Sequence, residues 1–321
     1  MKGLYITLIL LYSQSALAIT GSAGLKVEDG QISGSPKVEV FDYISSAAQV
    51  WYKPSWATFV YIRCVGGGNG GVGGKKIAWP TPTPAPGATP TPTPLINGGN
   101  SGTVADVFMP ASELPSTLNV FISAGASGGA GATASNSNGS PIGGCTATRV
   151  TRTGATECST SSQGSSECLI FAYCGVYTYG LQWSGWDFQG ASAWLAKTQI
   201  CESISSYAPG VGGAGGQSDG TATAGWVGNA GCMSPSSGGT AGAAGGGAGG
   251  VGGTYTGVGL RVGGGGGGGG GSITSGVNGG RGGDGGVPGG GGGGGGAGLN
   301  ATNNGGAGGK GGDGQCVFIS F

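Results

Sequence analysis

The side chains best suited to acid–base chemistry in this chain are four carboxylates between positions 134 and 208. A pair of carboxyl groups flanking a sugar linkage can hydrolyse it, one as the acid and the other as base or nucleophile. These four have no spacing that would bring two of them together, and scattered carboxylates are typical of a solvated surface; they are Glu157, Glu167, Asp187 and Glu202. We therefore expect no enzymatic activity.

The composition excludes several further kinds of site. The chain has no histidine, which catalytic triads, HExxH zinc sites and imidazole proton shuttles require. No Cys-x-x-Cys pair occurs, so zinc is not indicated. With 13 basic and 13 acidic residues the net charge is zero, and no basic field attracts nucleic acid. We expect a structural or binding protein with no cofactor, no bound metal and no nucleic-acid partner.

The eight cysteines leave two alternatives open. An even number of cysteines in a chain with little core suits disulfides in an oxidising compartment, although spacing cannot choose among the pairings. Buried free thiols are the alternative, above all for Cys64 and Cys316, which fall on predicted strands.

Glycine dominates the second half of the chain and keeps a period of three. Most of the 82 glycines lie in residues 210–321, and Gly-Gly-X triplets repeat over 279–287 and 305–313. Three residues per turn is the period of the polyproline II helix, which makes no internal hydrogen bonds. Two glycines per turn let neighbouring helices approach closely, with weak Cα–H···O contacts. We therefore expect a bundle of polyproline II helices; a disordered glycine-rich linker is the alternative.

The charged residues of these triplets fall one turn apart. Arg281 precedes Asp284 by three positions, and Lys310 precedes Asp313 by three. This spacing places opposite charges along one edge of a three-residue helix. Collagen has the same period but needs abundant proline, which this half of the chain lacks.

Alternating or continuous apolar residues predict five strands. They are residues 37–43, 58–65, 103–109, 118–123 and 315–321. On the second strand, Val60, Ile62 and Cys64 share one face. Since the glycine-rich half ends in a strand, the chain must close back on the earlier strands.

Composition divides the chain into four parts: 1–36, 37–133, 134–208 and 209–321. The first part is an attachment segment, or it carries a cleaved signal peptide over residues 1–18 that ends in Ala-Leu-Ala. The second part holds strands, the first glycine runs and an extended Thr-Pro insert at 80–94. The third part, rich in cysteine and aromatic residues, predicts an inserted subdomain with its own core and a short helix at 191–203. The fourth part is the glycine-rich region with its closing strand.

Three segments, taken in order, carry a resemblance to a known family. They are Trp51-Tyr52-Lys53-Pro54 followed by residues 59–68, the stretch 109–118 followed by 120–125, and the closing stretch 311–319. Together they resemble the glycine-rich domains of bacteriophage tail-fibre and tail-tip proteins, over residues 50–321 apart from the insert. In that family a small β-sheet base carries packed polyproline II helices, and the loops between helices bind the bacterial surface.

The resemblance implies a mainly β and irregular fold, with a small β-sheet base, a polyproline II bundle and the inserted subdomain. It implies a non-enzymatic virion protein of the tail, fibre or tip, whose receptor is a glycan or an outer-membrane protein of the host. It also implies a homotrimer joined to other tail proteins through the N-terminal segment. The alternative is a secreted glycine-rich structural or adhesive protein of a bacterial cell surface, exported by residues 1–18.

Successive glycine runs must alternate in direction, which predicts the loops that lie together. Counting the reversals places loops 76–97, 254–262 and 297–304 at one end with the insert, and Ile273 and Val277 at the other. We expect the receptor-binding residues among those loops and the insert; they are Tyr255, Leu260, Leu299, Asn300, Tyr177, Tyr179, Trp183 and Trp186. For Tyr255 and Leu299 we expect exposure, since no nearby sequence offers a core. The insert tryptophans could equally form the core of the insert.

Overall fold

The computed structural model describes the following residues: 36–77, 98–134, 137, 139–140, 145–152, 168–175, 197–199, 224–225, 227–228, 236–255, 264–265, 267–273, 278–300 and 302–321. These residues are mainly β-strand and irregular chain, as predicted, and their single helical element is the 3-10 turn Ala111–Glu113. No helix among them is long and apolar enough to cross a membrane.

The described residues form two small antiparallel sheets. The strands are β1 (Lys37–Asp42), β2 (Gln49–Tyr52), β3 (Phe59–Val65), β4 (Val104–Pro110), β5 (Thr117–Phe121), β6 (Thr148–Arg152), β7 (Cys168–Ala172), β8 (Lys197–Gln199) and β9 (Gln315–Ser320). One sheet has the order β1-β9-β3-β4-β8 and the other β2-β5-β6-β7. The closing strand β9 pairs on both sides, with β1 and β3.

Five strands confirm the sequence prediction within two residues at each end, and four strands were not predicted. The helix expected over 191–203 is wrong, because Lys197–Gln199 pair with β4 as a strand. The separate core expected for the insert stays a prediction, because most of its aromatic residues lie outside the described residues. Strands β6 and β7 extend the sheet of β5, and Val150 and Ile170 are buried in the common core.

One hydrophobic core joins the inner faces of the two sheets. Val60, Ile62 and Cys64 of β3 face it together, because alternate residues of a strand share one face. Trp51 of β2 is fully buried, and its ring stacks on Phe318 of β9 with centroids 5.1 Å apart. Burying each such aromatic side chain contributes about 1.5–3 kcal/mol.

Disulfides fasten this core. Cys64 of β3 and Cys316 of β9 are paired residues of neighbouring strands, and they form a disulfide. Cys145 is bonded to Cys174, and Cys168 is also disulfide-bonded. The described cysteines are therefore disulfide-bonded, and the alternative of buried free thiols is wrong for Cys64 and Cys316.

Extended glycine-rich runs lie outside the strands, and main-chain hydrogen bonds join them at every third residue. The N–H of Gly71 donates to the carbonyl of Gly309 at 2.9 Å, and Gly74, three residues on, donates to Gly306 at 2.7 Å. We call these runs the glycine lattice; their described residues are 66–76, 98–102, 124–133, 236–243, 247–255, 264–265, 267–273, 279–286, 290–297 and 305–314.

The lattice has a sheet end, where β3 leads into run 66–76 and run 305–314 leads into β9. Two turns within the glycine tracts reverse the chain. They lie at 244–246 and at 287–289. Gly245, Gly246 and Gly289 have φ values of 89°, 88° and 72° there, a conformation that only glycine adopts without cost.

The predicted ion pairs along the lattice are confirmed. Arg281 contacts Asp284 at 2.5 Å, and Lys310 contacts Asp313 at 2.8 Å. Each aspartate also joins two runs: Asp284 accepts from the N–H of Lys310 and Asp313 from the N–H of Gly125, both at 2.7 Å. These carboxylates therefore serve the lattice as acceptors as well as ion-pair partners.

Candidate functional site

Loops from distant parts of the chain meet at the end of the lattice opposite the sheets. Lys76, eleven residues beyond the end of β3, forms bridges with Ser137 and Gly298, and Ile273 bridges Gly298 as well. The N–H of Gly245 donates to the carbonyl of Ser272 at 2.9 Å. We call this end the tip; its described residues are 75–77, 137, 244–246, 272–273, 278, 297–300 and 302–304.

Leu299 lies at the tip, where the sequence places it, but the exposure predicted for its side chain is wrong. It is 1% exposed and packs with Ala297, Val72 and Ile77 in a small apolar cluster. The N–H of Leu299 also donates to the carbonyl of Ile273 at 2.8 Å. The sequence missed this packing because its members come from two chain segments, 72–77 and 297–299, that are far apart in the sequence.

Asn300 also lies at the tip, and its side chain shapes the loop. Its Oδ1 accepts from the N–H of Thr302 at 2.9 Å, from the Thr302 hydroxyl at 2.8 Å and from the N–H of Asn303 at 2.7 Å. An asparagine that binds the main chain two and three residues ahead stabilises a tight turn. Whether Asn300 or Leu299 contributes to receptor binding stays a prediction.

Two lysines and three further asparagines lie in or beside this loop; they are Lys75, Lys76, Asn278, Asn303 and Asn304. Lys76 is 8% exposed, and its Nζ donates to Asn304 Oδ1 at 2.9 Å. The N–H of Asn304 donates to Asn278 Oδ1 at 3.0 Å. Lys75 is half-buried beside Lys76. These residues were not predicted from the sequence, although Lys75-Lys76 is the only Lys-Lys pair of the chain and ends its first glycine run.

Asn303 is the most buried polar side chain of the loop. It is 3% exposed, and its Oδ1 accepts from the Thr302 hydroxyl at 3.3 Å. Its Nδ2 has no hydrogen-bond partner in the structure. An amide N–H buried without an acceptor costs about 1–3 kcal/mol, so this group is an unsatisfied donor of the loop.

Tyr255 lies at the sheet end, so the prediction that it shares one end with Leu299 is wrong. Its N–H donates to the carbonyl of Val287, and run 305–314 reaches the same region through Gly289, which donates to Asp313. Ile273 was expected away from the loops but lies at the tip. Both errors have the same cause. The chain reverses direction at the turns 244–246 and 287–289, and each turn lies within a stretch that was counted as a single run.

Several other predicted residues lie outside the described residues. They are Leu260, Val277, Tyr177, Tyr179, Trp183, Trp186, the four carboxylates Glu157, Glu167, Asp187 and Glu202, residues 1–35 and the Thr-Pro insert 80–94. Within the described part of the chain, no group of three or more histidine, cysteine or acidic residues could hold a metal ion.

The titratable groups at the sheet end are structural. Asp106 Oδ2 accepts from Arg63 and from the Tyr61 hydroxyl, both at 2.9 Å, and Arg63 is 4% exposed. Burial raises the pKa of the Tyr173 phenol above its ordinary value of 10.0. The Tyr173 ring packs edge-on against Phe171 with centroids 4.6 Å apart. The buried ion pair of Arg63 and Asp106 joins β3 to β4.

No protein-family model matches the sequence, and a search of curated proteins finds no significant match. We therefore infer the function from the residues of the tip and from the lattice that holds them.

Proposed function

We propose that this chain is a non-enzymatic adhesion protein of a bacteriophage tail, a fibre or tip component that recognises the host cell surface. In this proposal the receptor binds at the tip. Three copies form a homotrimer, and residues 1–36 join it to other tail proteins. The observation that carries the proposal is the meeting of loops from distant chain segments at the end opposite the sheets.

The scaffold in this proposal is a bundle of polyproline II helices. The hydrogen bonds between neighbouring runs recur every third residue, which is the turn length of that helix. A polyproline II helix makes no internal hydrogen bonds, so its peptide groups are available to neighbouring helices. Runs fixed in this way would hold the tip loops in one geometry and reduce the ordering cost of binding.

Binding of the labelled full-length protein to a panel of bacterial strains, measured by flow cytometry, tests the proposal. We expect saturable binding to a subset of strains. In the variant Ala244→Trp/Asn278→Trp, bulky rings replace two exposed tip residues, and binding should fall at least about tenfold, the effect of about 1.4 kcal/mol.

The matched control is Val251→Trp, because Val251 is 66% exposed on a lattice run away from the tip. The control should bind like the unmodified protein. Absence of binding to every strain, or equal binding by the tip variant and the control, would contradict the proposal.

A second candidate, an exported adhesive or structural protein of a bacterial surface, is favoured by one observation. Disulfides join Cys64 to Cys316 and Cys145 to Cys174, and such bonds form in exported proteins but are rare in proteins that fold in the cytosol. Intact-mass measurement of the mature chain separates the two. A chain that retains Met1 supports the virion protein, whereas one that begins at Ile19 supports export.

A further inference from the structure

We propose that the tip binds an acidic saccharide, whose carboxylate or phosphate is held by Lys75 and Lys76 and whose oxygens are bound by neighbouring asparagines. This inference rests on the proposed function, because it names the ligand class of the same site. Its basis is a group of positive charges and hydrogen-bond donors at the tip. Among the described residues, no negative charge pairs with these lysines, and Asn303 Nδ2 has no acceptor.

Among the described residues, no carboxylate pairs with the charge of Lys76. Lys76 is 8% exposed, and its ammonium group, which has three N–H donors, has one acceptor among those residues, the neutral amide oxygen of Asn304. A cation withdrawn from water is stable when an anion or several acceptors replace its hydration. Lys75 adds a second positive charge next to it.

The chain segments that form the tip supply no negative charge. Residues 76–105, 114–156, 220–283 and 285–312 contain no aspartate or glutamate. The nearest lattice carboxylates, Asp284 and Asp313, are already paired with Arg281 and Lys310. The described residues of the tip therefore leave Lys75 and Lys76 without an anion, and a ligand can provide one.

The amides beside the lysines match the hydroxyl groups of a sugar. Asn303 Nδ2 is buried without an acceptor, and an incoming oxygen would satisfy it. Asn278 is exposed and Asn304 is half-buried. Each asparagine can both donate and accept, as each sugar hydroxyl can.

The same surface is poorly suited to a protein receptor. Protein interfaces depend on aromatic and large apolar side chains at their centre. The exposed large apolar residues among the described residues are Val38, Val40, Ile44, Val50, Tyr52, Trp56, Val227 and Val251. None of them lies at the tip, and Leu299 is buried there. The observations therefore favour a glycan over an outer-membrane protein.

The test uses the full-length protein and a strain that it binds. We expect Lys75→Gln and Lys76→Gln each to weaken binding by about tenfold, since a hydrogen bond to a charged group contributes roughly that factor or more. Raising the ionic strength from about 0.05 to 0.5 M should weaken the unmodified protein similarly, because salt screens exposed charges. Lys37→Gln is the matched control: it removes the same charge from β1 at the sheet end and should leave binding unchanged.

Treatment of the cells identifies the ligand. Proteinase K digestion of surface proteins should leave binding intact. The isolated surface polysaccharide should compete with the cells for binding of the protein. Amidation of this polysaccharide removes the charge of its carboxylates, and hydrofluoric acid removes its phosphates. The treatment that abolishes competition identifies the anion. If Lys76→Gln does not fold by circular dichroism, the half-buried Lys75→Gln and the salt series decide.

The inference is overturned if cells are bound equally by Lys75→Gln and Lys37→Gln and independently of salt, or if proteinase K abolishes binding. In those cases adhesion by the tip still stands. If the unmodified protein binds no strain, the proposed function itself fails.

Discussion

Gly308 shows at the scale of one residue why this chain needs glycine. A Cβ built on Gly308 would overlap the carbonyl oxygen of Gly71 in the neighbouring run. The adjacent Ala307 is exposed, because the third residue of each triplet points away from the contact. Two residues of each triplet are therefore restricted by backbone approach, and the third is free to vary.

We expect Gly308→Ala to lower the free energy of unfolding by about 1–3 kcal/mol, the usual cost of forcing an extra carbon into a packed contact. Chemical denaturation followed by tryptophan fluorescence measures this change. Ala307→Ser is the control, and it should stay within about 0.5 kcal/mol of the unmodified protein, as surface substitutions do. Equal effects of the two substitutions would show that the runs are not in contact at this point.

At the scale of elements, the first and last runs of the lattice are each attached to a strand, β3 and β9. One disulfide joins these two strands and so closes the lattice. Run 66–76 leaves β3 directly after Cys64, and run 305–314 enters β9 directly before Cys316. The disulfide between them spans 252 residues. It therefore fixes where the lattice begins and ends.

We expect Cys64→Ala/Cys316→Ala to lower the unfolding free energy by about 2–4 kcal/mol. Cys145→Ala/Cys174→Ala should have a smaller effect, since that bond spans 29 residues and closing a shorter loop removes less entropy from the unfolded chain. Thermal unfolding of both variants beside the unmodified protein measures the difference. A larger loss from the shorter loop would argue against this role for the Cys64–Cys316 bond.

The sequence predicts the elements whose signal is local and misses those whose signal is not. Strand β3 is predicted by its alternating residues, and the ion pairs are predicted by the spacing of three between their charged residues. The turn at 287–289 has a Pro-Gly pair, which favours a turn, but glycine continues on both sides of it and no apolar pattern marks the reversal. Strand β2 has only four residues, and Leu299 is buried by partners from other segments. The position of Tyr255 could therefore not be predicted, whereas that of Asn300 could.

At the scale of the whole molecule, the described chain has two parts that are stabilised in different ways. The sheet base has a hydrophobic core around Trp51 and Phe318. The lattice has few side chains to bury, and its order depends on main-chain hydrogen bonds between runs. The tip depends on that order, because Lys76 and Asn304 meet only if runs 66–76 and 305–314 stay aligned.

Amide hydrogen exchange across residues 279–314 of the full-length protein tests this dependence most directly. We expect the lattice N–H groups that donate to a neighbouring run, such as those of Gly283, Gly296 and Gly309, to be protected about as well as those of strands β3 and β9. Exchange at the rate of an unstructured chain, with β3 and β9 still protected, would contradict it.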